Sequence, residues 1–145
     1  MKVIGLAAFA LLLVPQMSQA KNVYGEVLLT EVEPSTQKVW HREGNKPHPY
    51  PIEFAQAKLQ GCAVLSFDIS EEGHTENVEV ISSVPNRHLG KNSRKEVKRW
   101  RWQPLDTELQ ATAEKRVLRI DYCLSDVSEE QSLAQCQRQA QLNCG

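Results

Sequence analysis

The chain has 145 residues, with 17 Lys and Arg against 18 Asp and Glu, a pI near 6.4 and a mean hydropathy of -0.45. That length suits one domain and is short for two. A net charge of -1 argues against a generally basic protein that coats nucleic acid, although it leaves room for a local basic patch. With 41% hydrophobic residues the chain is too apolar for full disorder, and its mean hydropathy is too low for a polytopic membrane protein.

The first twenty residues point to a compartment. Lys2 precedes an apolar run from Val3 to Val14, Pro15 breaks that run, and Ser18-Gln19-Ala20 sets small residues where signal peptidase reads. A helix of about twelve residues is roughly 18 Å long, short of the roughly 30 Å hydrocarbon core. Cleavage after Ala20 is expected, giving a mature chain from Lys21 in an oxidising space where four cysteines form two bridges. A leader retained as an anchor is the alternative.

From residue 21 to 46 the sequence reads as an N-terminal extended segment. Val23, Tyr24, Val27, Leu28, Leu29, Thr30 and Val32 are strand formers, and Pro34-Ser35-Thr36 marks a turn toward a short run at Lys38 to His41. A hairpin and a single extended strand both fit. Gly44 to Pro49 is a connector, because its alternating prolines forbid a helix. Pro51 suits a first helical turn, and Ile52, Ala55 and Leu59 make an apolar stripe before Gly61 stops the helix. Ala63, Leu65, Phe67 and Ile69 then alternate with Cys62, Val64, Ser66 and Asp68, the clearest strand in the chain. Ser70 to Gly73 is a turn, and Thr75 to Ser82 reads as the returning strand. The span from Pro85 to Pro104 holds a second helix with Leu89, Ser93, Val97 and Trp100 on one side and many cations on the other. Lys115 to Leu124 is a third strand, with Leu118, Ile120, Tyr122 and Leu124 opposite Val117, Arg119, Asp121 and Cys123. Ser128 and Gln131 fit a capping box that opens a last helix, whose sparse apolar side carries Leu133, Cys136, Ala140 and Cys144.

Several of these residues, taken in order, resemble a known family. Tyr50-Pro51, Ala55, Gly61, Val64 to Ile69 with Phe67, Gly73, Val78-Glu79-Val80, Ser82-Ser83, Pro85 and the closing Trp100-Arg101-Trp102-Gln103-Pro104 are similar to the TonB C-terminal domain. The resemblance runs from Pro47 to Cys123. It implies an α+β fold in which two helices pack on one face of a three-stranded antiparallel sheet. The extended segment precedes this domain (47–125), and a C-terminal helical extension (126–145) follows it. The expected core is Ile52, Ala55, Leu59, Leu65, Phe67, Ile69, Val97, Leu118 and Ile120, with Trp100 as the bulkiest plug.

The resemblance also implies recognition by strand addition, in which the last strand lies at a sheet edge and pairs with the TonB box of an outer-membrane receptor. Here Arg116, Val117, Leu118, Arg119, Ile120, Asp121 and Tyr122 would supply that strand, unless the segment from Asp126 covers the edge. Family members are transducers with a long Pro-rich spacer, whereas Lys21 to Pro47 contains only Pro34 and Pro47. The expected function is therefore that of a soluble periplasmic protein-binding module, an adaptor or accessory in TonB-dependent transport. It would bind a TonB-box-like peptide or another periplasmic protein. The alternatives are a disulfide-stapled structural protein with no transport role and an intact transducer that keeps its leader; strand exchange into a homodimer stays open.

Other chemistry is weakly signalled. Lys91 to Trp102 holds six Lys or Arg and one acid, Glu96, among two tryptophans. A periplasmic address removes nucleic acid as its partner, and a solvated helix face, an acidic protein or anionic lipid remain. His41, His48, His74 and His88 are scattered, without metal-ligand or nucleophile spacing, so no enzyme, metal or cofactor is expected. In the family-like topology the first and third strands are antiparallel neighbours, which implies a Cys62–Cys123 bridge and leaves Cys136 to pair with Cys144.

Overall fold

A computed structural model describes residues 21–32, 38–44, 48–108 and 110–145. The leader and the Pro34 turn expected from the sequence lie outside these residues, as does Pro47. Strands β3 (Gly61–Ile69) and β6 (Glu114–Ser125) sit at the centre of the fold. Alternation makes each of them two-sided. Ala63, Leu65, Phe67, Ile69, Leu118, Ile120 and Tyr122 are buried on one face, while Cys62, Arg119, Asp121 and Cys123 are buried on the other. Strand β4 (Thr75–Val84) returns antiparallel beside β3, with register shifts at Val64/Leu65 and between Ser66 and Asp68. Strand β1 (Tyr24–Glu31) lies along the other side of β6, giving the order β1-β6-β3-β4. The sheet therefore has four strands rather than three, because the extended segment joins it.

A second, two-stranded sheet pairs β2 (Trp40–Arg42) with β5 (Trp102–Pro104). The segment from 21 to 46 thus forms neither a hairpin nor one strand, since β1 and β2 belong to different sheets. Two family glycines hold the corners. Gly73 has φ +77, and a Cβ there would meet the Trp102 carbonyl oxygen at 2.3 Å; Gly61 has φ +145, and its Cβ would lie 2.1 Å from the Val84 oxygen. The Trp102 amide also donates to the Gly73 carbonyl (3.0 Å), which ties β5 to the β3–β4 turn.

Helices α1 (Ile52–Gln56) and α2 (Arg87–Val97) cover one sheet face, and α3 (Glu129–Gln139) covers the opposite one. Pro51 stands at the N-cap of α1. The helix closes at Gln56 and Lys58 takes φ +51, so the stripe expected from Ile52 through Leu59 never forms. Ile52 is 73% exposed, and Phe54 is buried in its place, edge-on to the Tyr122 ring at 5.5 Å. In α2 the Asn86 side chain accepts from the His88 amide (2.9 Å), and Leu89, Gly90, Ser93 and Val97 are buried. Ser93 stands where an apolar residue is expected, and its hydroxyl explains why. It donates to the Leu89 carbonyl (2.8 Å) and meets the Tyr122 hydroxyl (2.8 Å) inside the core.

Helix α2 ends before the tryptophans, which changes the identity of the core plug. Trp100 lies beyond the helix and is half-buried, whereas Trp102 in β5 and Trp40 in β2 are buried. Trp102 stacks on Phe67 (centroids 5.7 Å apart) and donates from Nε1 to Thr75 Oγ1 (2.8 Å). The Ser128 side chain caps α3 by accepting from the Gln131 amide (3.2 Å). Leu133, on the side of α3 expected to be apolar, is 38% exposed; Ser132 and Cys136 are the buried residues.

The disulfides differ from the expected pairing: Cys62 joins Cys144 and Cys123 joins Cys136. Register is the reason. Cys62 lies opposite Asp121, so Cys123 shares its face but is offset by two residues along the ladder. Such diagonal neighbours are about 7–8 Å apart, beyond the usual disulfide span. Helix α3 supplies Cys136 to Cys123, and the chain that follows the helix brings Cys144 to Cys62.

Candidate peptide-binding edge

Of the seven residues of β6 expected to form a receptor-binding edge, Val117 to Tyr122 lie instead inside the sheet, and Arg116 pairs with Phe67 of β3. Leu118, Ile120 and Tyr122 pair toward β3, and Val117, Arg119 and Asp121 pair toward β1. The expected open edge is therefore filled by the protein's own β1, not by the C-terminal segment, which covers a face. This placement gives the side chains structural duties. Arg119 forms a two-pronged pair with Asp121 (Nε to Oδ2 2.8 Å, Nη2 to Oδ1 2.9 Å). It also donates to the Gln139 and Leu142 carbonyls at 2.8 and 2.5 Å, where a cation complements the C-terminus of α3. Gln139 Nε2 completes the cluster by donating to Asp121 Oδ1 (2.9 Å) and to the Gly61 carbonyl (2.8 Å). Asp121 is fully buried, so this pairing offsets a desolvation cost that would otherwise be several kcal/mol.

On the other face, Arg116 joins three elements. Its guanidinium lies 4.7 Å from the centroid of the Trp102 ring and donates to Glu114 (2.8 Å), to the Trp40 carbonyl (2.6 Å) and to Glu31 of β1 (3.5 Å). Arg42 lies over the half-buried Trp100 ring at 4.6 Å, and His48 meets that ring edge-on at 6.0 Å. Burial lowers the His48 pKa from its ordinary 6.5, with Glu96 raising it and Arg42 lowering it. The family tryptophans are thus packing residues clamped by two arginines. Tyr50, another signature position, stands edge-on to Tyr122 (5.9 Å), and its hydroxyl donates to the Leu59 carbonyl. Burial pushes the Tyr50 pKa upward, and the neighbouring Tyr122 adds to that shift.

The outer side of β1 is the regular edge of the larger sheet. All eight β1 residues pair with β6 in continuous register, without a bulge. The Val32 amide donates to the Val117 carbonyl (3.0 Å). By alternation, Thr30, Leu28, Glu26 and Tyr24 direct their backbone groups toward β6, and Gly25, Val27, Leu29 and Glu31 direct theirs outward. The opposite edge, β4, is irregular, with its register shifts and Asn77 at φ +50, features that blunt an edge against pairing. Beside the Glu31 end of β1, a cleft of about 540 Å³ opens between the two sheets, walled by Leu29, Trp40, Trp102, Leu105 and Leu118. Lys38, which pairs with Glu31 (2.5 Å), stands at its rim along with Arg42 and Arg116. Sequence reading recognised the strand formers of β1 but not its role, because a ladder partner some 90 positions away leaves no local signature.

Among the described residues, no group of His, Cys, Asp and Glu is arranged to hold a metal ion. No helix there is long and apolar enough to cross a membrane. A sheet held between helices on both faces, with one long regular edge and a cleft beside it, defines an α+β domain. The family model for the Gram-negative bacterial TonB protein C-terminal matches residues 46–124, more than half of the chain, and the chain belongs to that family. Over 60 residues it is 27% identical to Protein TonB of Escherichia coli (strain K12), a stretch covering 41% of this chain and 25% of that protein. The chain thus aligns with a quarter of the length of this relative. Among solved structures, the solution NMR structure of the Pseudomonas aeruginosa TonB CTD aligns with a TM-score of 0.45 and 23% identity, over 62% of this chain and 86% of that one.

Proposed function

We infer that this chain is a periplasmic protein-binding module, an adaptor or accessory in TonB-dependent transport, which takes an extended peptide of its partner as an added strand along β1. The observation that carries this reading is the β1 edge. Among the described residues, the backbone groups of Gly25, Val27, Leu29 and Glu31 on its outer side pair with no other strand, and an apolar cleft lies on one side for a partner's alternate side chains. Strand addition uses these two features together: main-chain bonds for affinity and side-chain pockets for selection. Family membership supports a TonB-box-like segment of an outer-membrane receptor as the peptide. One disulfide joins β6 to α3 and the other joins β3 to the segment after α3, and both suit an oxidising compartment. Catalysis has no part in this reading.

The test exploits the direction of the backbone at Leu29. Leu29→Pro removes an outward donor while leaving the inward ladder bonds of β1 in place; Leu29→Ala removes the same side chain and keeps the donor. A TonB-box peptide should bind wild type and Leu29→Ala, and bind Leu29→Pro much more weakly, with the two variants melting at similar temperatures. Equal binding by both variants rules out addition at this edge. Failure of every form to bind the peptide favours the stapled structural protein, a reading supported by β1 already filling the side of β6. Arg119 is unsuited to such a test, because its backbone pairs with β1 and its side chain holds Asp121 and α3.

A further inference from the structure

Helix α2 carries a feature that neither the fold nor the β1 edge uses. Residues 87–101 contain seven Lys or Arg and one acid, in a chain whose net charge is -1. Arg87, Lys91, Arg94, Lys95 and Lys98 are all exposed, and at 100° per residue they fall within about 100° of arc, opposite the buried Leu89, Ser93 and Val97. The stripe is about 17 Å long at 1.5 Å per residue. None of these five side chains is paired with another described residue, and the nearby acid, Glu96, is paired with Arg99 (3.3 Å).

Arg94 and Lys95 complement the dipole at the end of α2, but the rest of the arrangement weakens the fold. Three pairs of like charge stand four residues apart (87/91, 91/95 and 94/98) and two stand three apart (91/94 and 95/98), spacings at which like charges destabilise a helix. Arg87 is the first helical residue, where the helix dipole disfavours a cation, and the first turn contains no acid. Both costs disappear when a dense negative field faces the stripe.

We propose that the α2 stripe is a docking surface for an anionic phospholipid membrane. The five side chains are long and unbraced. Fixing each one opposite an acceptor on a folded acidic protein would cost side-chain entropy, whereas a diffuse phosphate surface attracts them without a fixed geometry. The apolar face of α2 is buried against β3 and β4, so docking is electrostatic and peripheral, without insertion. Helix α2 lies over the β3–β4 half of the sheet, at the far end of the strand order from β1. A membrane held against α2 therefore leaves the β1 edge free for a peptide.

The test is co-sedimentation of the full chain, purified after export from a Gram-negative host, with phosphatidylethanolamine vesicles that contain one-third phosphatidylglycerol or none. The protein should sediment with the anionic vesicles and not with the neutral ones. Binding should be lost as NaCl rises from about 0.05 M to about 1 M, where the screening length falls to about 3 Å. The K91Q/R94Q/K95Q variant should bind about tenfold more weakly or worse, and a K58Q/K115Q/R138Q control, with the same loss of net charge, should stay within about twofold of wild type. The stripe variant should melt close to wild type, because it removes like-charge neighbours along with two cations of the last helical turn. Equal losses in the two triple variants, equal binding to neutral vesicles, or no sedimentation at low salt would each overturn the proposal. Capture of free polyglutamate without vesicle binding would replace the membrane with an acidic protein.

Discussion

Hydrogen counting at the Ser93–Tyr122 contact leads to a quantitative expectation. Ser93 has one hydroxyl proton and donates it to the Leu89 carbonyl, so the Tyr122 hydroxyl donates to Ser93 Oγ. Both residues are fully buried. Ser93→Ala leaves the tyrosine donor without its acceptor in a dry site, at a cost of about 1–3 kcal/mol. Tyr122→Phe removes the donor itself, and Ser93 keeps its bond to Leu89; this change should cost about 0.5–1.5 kcal/mol. The double variant has neither an orphaned donor nor an unfilled acceptor requirement, so it should be no less stable than Ser93→Ala alone. Urea denaturation and thermal melting both read the cycle, at about 4 °C per kcal/mol for a domain of this size. A Ser93→Ala variant as stable as wild type, or a double variant costing the sum of the singles, refutes the reasoning. The pH dependence provides a second readout. Burial raises the Tyr122 pKa while the Ser93 bond partly lowers it, so the folded state holds its proton more tightly than the unfolded chain. Stability is therefore present below pH 10 and falls as pH rises above it, and Tyr122→Phe should flatten that fall.

Two further outcomes are expected. Non-reducing peptide mapping should join Cys62 to Cys144 and Cys123 to Cys136. Replacing the first pair with serines should cost about 4.5 kcal/mol and the second about 3 kcal/mol in the chain-entropy model, and the reverse ranking would count against it. His48 has a folded-state pKa lowered by burial, so the unfolded chain binds its proton first and stability falls as pH drops below 6.5. Melting temperatures measured from about pH 7 to about pH 5 should therefore decline less in His48→Gln than in wild type; equal slopes would assign the decline to other groups.

The legible part of this protein is its local periodicity. Alternation at Ala63 to Ile69 and at Val117 to Leu124 predicts both central strands and assigns each side chain to the correct face, because period-two burial leaves a direct trace. The Ser128 cap and the basic side of α2 were readable for the same reason: each depends on residues within a turn of one another. The ordered set from Tyr50 to Pro104 was enough to indicate the family. The stripe of Ile52, Ala55 and Leu59 predicts a longer α1 than forms, because Lys58 leaves the helical region before the stripe is complete.

What the sequence determined by itself, then, was the family, the two central strands with their faces, and the cationic stripe, all of which rest on spacing along the chain. Tertiary structure alone decided what lies beside β6, which tryptophan fills the core and which cysteines meet. Each of these turns on registry between distant segments. β1 pairs with β6 across about ninety residues, and that pairing makes an interior strand of one expected at the edge. Trp102 replaces Trp100 as the plug because α2 stops at Val97 and β5 carries the next residues into the core. An offset of two residues between β3 and β6 separates Cys62 from Cys123, and α3, lying over both, supplies Cys136 to one and leads the chain to Cys144 for the other. Face follows from alternation within one strand, but register is a relation between strands, and only packing sets it.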